Sequence, residues 1–255
     1  MDGLPLLRYR LPGPDASGTG QADHSRTQLT AGHPVIERIY VGAATRPCRV
    51  MGIVGCCADD AHHVVARLLA ERSAQSGDST LLVDLSLALQ DESDRLWWAP
   101  GDNRAAEAIT TDPRGFDRLS ARACARTAMR FRGIAGLKQL LNEELSHYTM
   151  IIVDAGSLAM AASAIVPAAT VAQACDSVVL TATPGTEPMR RLQAELEALG
   201  PARSRIVGFV LDDFGLPTIG EELLVLAGRL RKPVVRLIAP LFALLGRWPV
   251  LWERA

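Results

Sequence analysis

The sequence predicts an α/β domain built on a mostly parallel central sheet of about seven strands. Short runs rich in valine, isoleucine and leucine alternate with longer segments of helical period, which is typical of βαβ units around a buried sheet. With 255 residues, the chain is long enough for one large domain of this class and too short for a second. Its composition, 48% apolar and 22% charged, is that of a soluble globular protein.

The elements follow from these patterns in chain order. The predicted strands are the apolar runs at 50–55, 80–84, 150–154, 177–182, 205–211 and 234–238, with 116–120 as a further candidate. Helices are predicted between them at 64–76, 134–147, 188–199 and 219–230. The alanine-rich stretch 158–174 predicts another helix, which Pro167 kinks or breaks. Val35, Ile36 and Ile39 have helical spacing and predict a short helix over 33–45 against the domain edge.

Composition divides the chain into three parts. Residues 1–33 combine several prolines and glycines with scattered charges and no apolar period. We expect a flexible N-terminal arm there, because such a segment buries too little surface to offset its ordering entropy. Residues 34–240 form the predicted α/β domain, and residues 241–255 form an apolar C-terminal tail that contains tryptophan.

Charge and cysteine usage exclude several classes of function. The formal net charge of -1 gives no electrostatic reason to expect a nucleic-acid partner. The five cysteines are odd in number and irregularly spaced, and no charged-then-apolar signal segment opens the chain, so we expect a cytoplasmic protein with reduced thiols. The longest apolar stretch, 234–252, contains two arginines and two prolines, which are costly in a membrane-spanning helix.

The chemistry should lie just beyond the carboxyl ends of the predicted strands, where ligands of such sheets bind. The first strand leads into residues 52–64, which have the sequence GIVGCCADDAHHV. Asp84 and Asp154 each end a later apolar run. An acid in that place commonly holds a magnesium ion or its water near a phosphate.

These landmarks resemble those of the bacterial tyrosine autokinases of polysaccharide export and of their relatives, the MinD/ParA-type ATPases. In that family a G-x-G-K-[ST]-T loop follows the first strand, the second strand ends D-x-D, and a later strand, preceded by an aromatic-Asp-Tyr, ends in Asp. The chain keeps Asp84 in the second place and Tyr148 with Asp154 in the third. The likeness runs from about residue 36 to about residue 238 and implies a three-layer, P-loop NTPase-like fold for 34–240.

The phosphate-binding loop departs from the family at nearly every catalytic position. Aligned without gaps from the first strand, the places of the two glycines, the lysine, the magnesium-binding hydroxyl and the following residue fall on Asp59, Ala61, His62, His63 and Val64. The second acid of D-x-D is replaced by Ser86, and the asparagine near the adenine is replaced by Asp212. The resemblance therefore implies the fold of the family without its phosphate loop.

A loop of this composition disfavours nucleotide. A phosphate cradle needs glycines that turn backbone N–H groups inward and a lysine that neutralises the phosphates. Asp59 and Asp60 instead place negative charge where a polyanion would lie, and His62 is shorter than lysine and largely neutral at cytoplasmic pH. The vestigial nucleotide site then comprises Cys57, Asp59, Asp60, Ala61, His62, His63, Val64, Asp84, Asp154 and Asp212.

Two interpretations of this loop remain. It connects strand to helix, with Asp59 or Asp60 as the helix N-cap, or it holds a transition metal. Side chains able to bind such a metal are clustered there, namely Cys56, Cys57, Asp59, Asp60, His62 and His63. Adjacent ligands seldom converge on one ion, so we expect no metal, no cofactor and no catalytic residue; Asp84 and Asp154 are expected to be inherited acids hydrogen-bonded to backbone amides.

The C-terminal tail also differs from the family kinases, in which a tyrosine-rich tail is phosphorylated by the neighbouring subunit. The chain has three tyrosines and none after residue 240, so autophosphorylation lacks its acceptor. Large apolar side chains instead suggest that the tail packs on its own domain or docks on a membrane protein, the lipid interface or a second copy. The candidate interface residues are Leu241, Phe242, Leu245, Trp248, Leu251 and Trp252.

The leading hypothesis is a non-catalytic scaffold or regulator in bacterial cell-surface polysaccharide synthesis or export. Its expected partner is a membrane protein of such a system or an active homologous ATPase, with homo-oligomers as an option and no nucleic acid. Such a protein would be cytoplasmic, reaching the inner membrane through its partner. The alternative is an active but divergent ATPase or tyrosine kinase, and a weaker one is a partition or division-site positioning protein.

Overall fold

The structure, a computed structural model, describes residues 30–57, 61–86, 98–120, 125–160, 164, 166–183 and 189–212, and of residues 6–9 the backbone alone. By its internal contacts the chain divides into the units Met1–Asp212 and Asp213–Ala255. All described residues belong to the first unit. The predicted strand at 234–238, the predicted helix at 219–230 and the predicted boundary at residue 240 lie outside them.

An eight-stranded sheet forms the centre of this unit. Its strands are β1 (Leu6–Tyr9), β2 (Val50–Gly55), β3 (Thr80–Asp84), β4 (Ile109–Thr111), β5 (Asp117–Ser120), β6 (Met150–Ser157), β7 (Ser177–Ala182) and β8 (Ile206–Asp212). The order across the sheet is β1-β8-β7-β2-β6-β3-β5-β4. Every neighbouring pair is parallel except β4 and β5. The predicted α/β class with a mostly parallel sheet is confirmed, with two short edge strands that the sequence did not indicate.

Helices surround the sheet. They are α1 (Pro34–Ala44), α2 (Ala61–Gln75), α3 (Ala125–Phe131), α4 (Ile134–Gln139), α5 (Ala168–Ala174) and α6 (Met189–Ala198). A π-helical segment, Leu140–Glu144, continues α4. Helix α1 packs on α2, and α4 packs on α5, while α2 and α5 both contact the central strands β2 and β6. Of the described helices, none combines the length and the apolar character needed to cross a membrane.

Three sequence predictions need correction. The strand expected over 150–154 does not end at Asp154 but continues to Ser157. The helix expected over 158–174 starts instead with a short 3-10 turn, Leu158–Met160. Helix α5 begins only after Pro167, whose ring fixes φ and whose missing N–H suits a helix start. Within the predicted flexible arm, Leu6–Tyr9 forms β1, which gains backbone hydrogen bonds by pairing with the edge of β8.

The core explains why the apolar runs become strands. Every residue of β2, β3, β6 and β7 is buried, as expected of strands covered on both faces. Trp98 packs edge-on against Phe131 with ring centroids 5.0 Å apart, and its indole N–H donates to the Ser120 carbonyl at 3.1 Å. This burial fixes the strands, and with them the strand ends where the candidate site lies.

Candidate functional site

Two buried carboxylates lie side by side, Asp84 as the last residue of β3 and Asp154 within the second half of β6. Asp84 and Asp154 are paired in the strand register, and they are 6% and 3% exposed. Adjacent parallel strands are about 4.8 Å apart, so two unneutralised charges here would repel each other strongly. The structure places a basic side chain on each acid.

His63 contacts Asp154. Helix α2 starts at Ala61 and packs on β6, and it carries His63 in its first turn. The Nδ1 atom of His63 lies in short hydrogen-bonding contact with Asp154 Oδ2. The other carboxylate oxygen of Asp154 accepts the backbone N–H of Gly156 at 3.2 Å. Both oxygens of Asp154 are therefore engaged by the chain itself.

Arg118 neutralises Asp84 from the neighbouring strand β5. The guanidinium Nη2 lies 3.3 Å from Asp84 Oδ2. Asp84 Oδ1 accepts two hydrogen bonds from Ser86, from its backbone N–H at 3.2 Å and from its hydroxyl at 2.7 Å. The expectation that both acids would bond to neighbouring backbone amides is met at Gly156 and Ser86, and the two ion pairs add to it.

His62, which falls in the place of the phosphate lysine, is buried. The residue is 4% exposed, and its ring lies over the end of β2. A Cβ atom on Gly55 would lie 3.4 Å from Cγ and Cδ2 of His62 and 3.3 Å from the Cys57 carbonyl oxygen. The imidazole therefore sits against the backbone here and does not reach outward as a cation.

A cavity of about 530 Å³ adjoins the two ion pairs. Three arginines and three aspartates line it together with His63, namely Arg67, Arg114, Arg118, Asp84, Asp112 and Asp154. Arg114 is itself 3.7 Å from carboxylate oxygens of Glu71 and Asp112. Among the described residues that line the cavity, the three arginines face three aspartates, so these six side chains provide no excess of positive charge for a triphosphate.

Magnesium with nucleotide does not fit the side chains described here. Magnesium demands oxygen ligands in near-octahedral geometry, whereas position 63 supplies an imidazole nitrogen. The two strand-end acids that would face the ion are held by His63 and Arg118. The described residues thus offer neither a phosphate cation at position 62 nor an available acid.

The structure brings together some of the predicted site residues and leaves others apart. His63, Val64, Asp84 and Asp154 line the cavity, and Ala61 and His62 are the first residues of α2. The buried Cys57 thiol contacts the Thr183 carbonyl at 3.9 Å. Asp59, Asp60 and the tail residues 241–252 lie outside the described part, and of Asp212 only the backbone, at the end of β8, is described.

Sequence reasoning missed Arg118 and the partnership of His63 with Asp154. The sequence contained one indication of Arg118, because it is a charged residue in the candidate strand 116–120, which could pair with the strand that ends at Asp84. The contact between His63 and Asp154 joins residues 91 positions apart. It depends on how the first turn of α2 packs against β6, which the sequence does not specify.

No protein-family profile and no curated protein matches the chain. Solved structures do match it. The kinase domain of Escherichia coli tyrosine kinase ETK is 20% identical with a TM-score of 0.55, covering 71% of this chain and 73% of that one. The BceF tyrosine kinase domain is 17% identical with a TM-score of 0.55, covering 70% and 74%. The VpsO kinase domain is 19% identical with a TM-score of 0.52, covering 69% and 95%. The resemblance stated from the sequence is confirmed at the level of the fold, which is P-loop NTPase-like.

Proposed function

We propose that this chain is a non-catalytic scaffold or regulator in bacterial cell-surface polysaccharide synthesis or export, acting through protein-protein contacts. The non-catalytic part of the proposal depends on one observation, which is that side chains of the same domain engage both Asp84 and Asp154. Asp154 is paired with His63, and Asp84 is paired with Arg118. A nucleotide-hydrolysing site needs such acids for its metal ion, whereas here each acid is held by a side chain of the same domain.

Both side-chain pairs would have to break before a magnesium-nucleotide complex could bind, and this lowers its affinity. A hydrogen bond to a charged group contributes about 1.5–3 kcal/mol, and a partly exposed ion pair such as Arg118 with Asp84 contributes up to about 1 kcal/mol. Breaking both to admit the ion would weaken binding roughly 10- to 1,000-fold. A protein without a phosphate lysine has little interaction energy to offset this loss.

The cellular setting is proposed from the fold shared with the tyrosine kinase domains and from the sequence resemblance to the autokinases of polysaccharide export. The expected partner is a membrane protein of such a system or an active homologous ATPase. Contact is assigned to the tail residues Leu241, Phe242, Leu245, Trp248, Leu251 and Trp252, either with that partner or in a homo-oligomer. Recruitment by a membrane partner would bring the protein to the inner membrane.

Calorimetry with magnesium-ATP tests the non-catalytic half. We expect no saturable heat from the full-length protein and no phosphate release from wild type or from His62→Lys, because one restored cation leaves both acids paired. Binding at micromolar concentration that Asp84→Ala abolishes, and that the remote control Glu107→Ala leaves intact, would establish the alternative of an active, divergent ATPase or kinase. Melting temperatures of both variants confirm that each is folded.

Complementation tests the cellular half. Deleting the gene in its own host should lower the amount of surface polysaccharide, and wild type and Asp84→Ala should restore it equally. A truncation to residues 1–240 that folds normally should not restore it and should lose cross-linking to the membrane partner. Unchanged polysaccharide in the deletion strain would exclude the proposed system, and loss of restoration by a folded Asp84→Ala would indicate that nucleotide chemistry is required.

A further inference from the structure

Three metal-binding side chains converge beside the cavity. The ligand atoms of His62, His63 and Asp154 all lie within 4.8 Å of one another. They come from two distant parts of the chain, since the histidines lie in the first turn of α2 and the aspartate lies within β6. The resulting set has two imidazole nitrogens and one carboxylate oxygen.

The two histidines converge although they are adjacent in sequence. Neighbouring side chains in the middle of a helix point about 100° apart, which is why the sequence argued against a shared ion. Here both rings lie in the first turn of α2, with centroids 4.1 Å apart and planes tilted by 41°. The Asp154 carboxylate lies beside both rings, so the three ligand atoms border one small volume.

The carboxylate is held in the orientation that a metal ligand requires. Asp154 Oδ1 accepts the Gly156 N–H at 3.2 Å, which leaves Oδ2 directed at His63. Hydrogen bonds of this kind fix a ligating carboxylate and raise metal affinity. The contact between His63 Nδ1 and Oδ2 keeps two ligands together, and a metal ion would take the place of the proton that they share.

The donor set and its surroundings select the class of metal. Imidazole nitrogens with one carboxylate oxygen suit zinc and similar divalent transition metals, whereas magnesium and calcium prefer oxygen alone. His62 and Asp154 are 4% and 3% exposed, but the His63 side chain is 39% exposed and borders the cavity. A fourth coordination position would therefore open towards the cavity and accept water or a donor atom of a bound molecule.

We propose that His62, His63 and Asp154 form a binding site for a divalent transition metal ion of the zinc class. The site reverses the expectation of no metal drawn from the sequence, and it goes beyond the proposed scaffold function. Zinc binding and magnesium-ATP binding are measured separately, so the failure of one proposal leaves the other standing.

Zinc titration of the full-length protein tests the site. Untagged protein, stripped with a chelator and kept reduced, is titrated with Zn²⁺ against a chromophoric competitor. We expect one ion per chain with a dissociation constant of about 1 μM or tighter. His63→Ala and Asp154→Asn should each weaken binding by about 100-fold or more, whereas the exposed control His147→Ala should not change it. Circular dichroism checks that each variant is folded, and the half-exposed position 63 makes His63→Ala the safer of the two.

Cobalt replacement identifies the ligands independently. Co²⁺ at a nitrogen and oxygen site should give visible d–d bands without thiolate-to-cobalt absorption in the near ultraviolet, and the bands should disappear in His63→Ala. The proposal is overturned by a dissociation constant for zinc above about 1 mM. It is also overturned if both ligand variants bind zinc as tightly as wild type, or if a thiolate signal places the ion at a cysteine.

Discussion

Removing the His63–Asp154 pair one partner at a time should show that the two side chains stabilise each other in the metal-free protein. The variants are His63→Ala, Asp154→Asn and the double variant. Asparagine keeps an oxygen for the Gly156 N–H, so Asp154→Asn removes the charge and little else. Comparing the four proteins isolates the interaction between the two side chains from their separate effects on packing.

The structure sets the expected size of that interaction. The Asp154 side chain is 5% exposed, whereas that of His63 is 39% exposed. A charge-assisted hydrogen bond contributes about 1.5–3 kcal/mol when buried, and fully exposed pairs contribute about 0.2–1 kcal/mol. Because solvent screens the histidine partly, we expect a coupling energy of about 1–2 kcal/mol, between the two limits.

Urea unfolding in the presence of a chelator measures the free energies of unfolding of the four proteins. The pair Arg104 and Glu107 is the matched control, since its atoms are 3.5 Å apart and both side chains are exposed. The control cycle should give at most about 0.5 kcal/mol. A coupling energy for His63 and Asp154 no larger than that of the control would refute the inference that the two side chains hold each other in place.

Three further predictions concern polar side chains outside the site. Burial, followed by the hydrogen bond to Asp117 at 2.8 Å, raises the pKa of Tyr148 above its ordinary value. Tyr148 therefore adds stability below about pH 10, where it is un-ionised even when unfolded, and this stability is lost as the pH rises further. Tyr148→Phe should lower the free energy of unfolding by about 1 kcal/mol at pH 7 and flatten its decline in alkaline urea titrations. Arg49→Met should lower the free energy of unfolding by about 1–3 kcal/mol, because the guanidinium donates to backbone carbonyls at the end of the π-helical segment, among them that of Leu145 at 3.2 Å. Arg49→Lys should recover only part of this stability. Burial also raises the pKa of the Cys175 thiol, so a thiol reagent should leave Cys175 unmodified in the folded protein and label it in urea, as peptide mass mapping would show.

The parallel core of the sheet could be predicted from the sequence because a strand covered on both faces is a nearly continuous apolar run. The runs at 50–55, 80–84 and 177–182 match β2, β3 and β7. The edge strands could not be predicted by the same signal. Strand β4 has three residues, all partly or fully exposed, and Leu6–Tyr9 becomes a strand only because the edge of β8 accepts it.

The candidate site could be predicted in position but not in its interactions. The strand-end acids Asp84 and Asp154 were found because parallel strands end at a common edge. Their partners depend on tertiary distances, namely the start of α2 above β6 and the register of β5 beside β3. The general rule that adjacent ligands diverge was also applied to His62 and His63, whose rings the first turn of α2 holds together.

The magnesium and zinc experiments separate two properties of the same buried acid. A carboxylate that is paired with an imidazole resists an oxygen-seeking ion, because that ion must break the pair and gains no nitrogen ligand that it prefers. The pairing has the opposite effect on zinc, since both members of the pair are zinc ligands and are already in contact. If the protein binds zinc tightly but does not bind magnesium-ATP, then His63 gives the site of Asp154 a preference for zinc over magnesium. If the protein binds neither, then the contact between His63 and Asp154 has only a structural role. Its whole effect would be the coupling energy of about 1–2 kcal/mol in the free energy of unfolding.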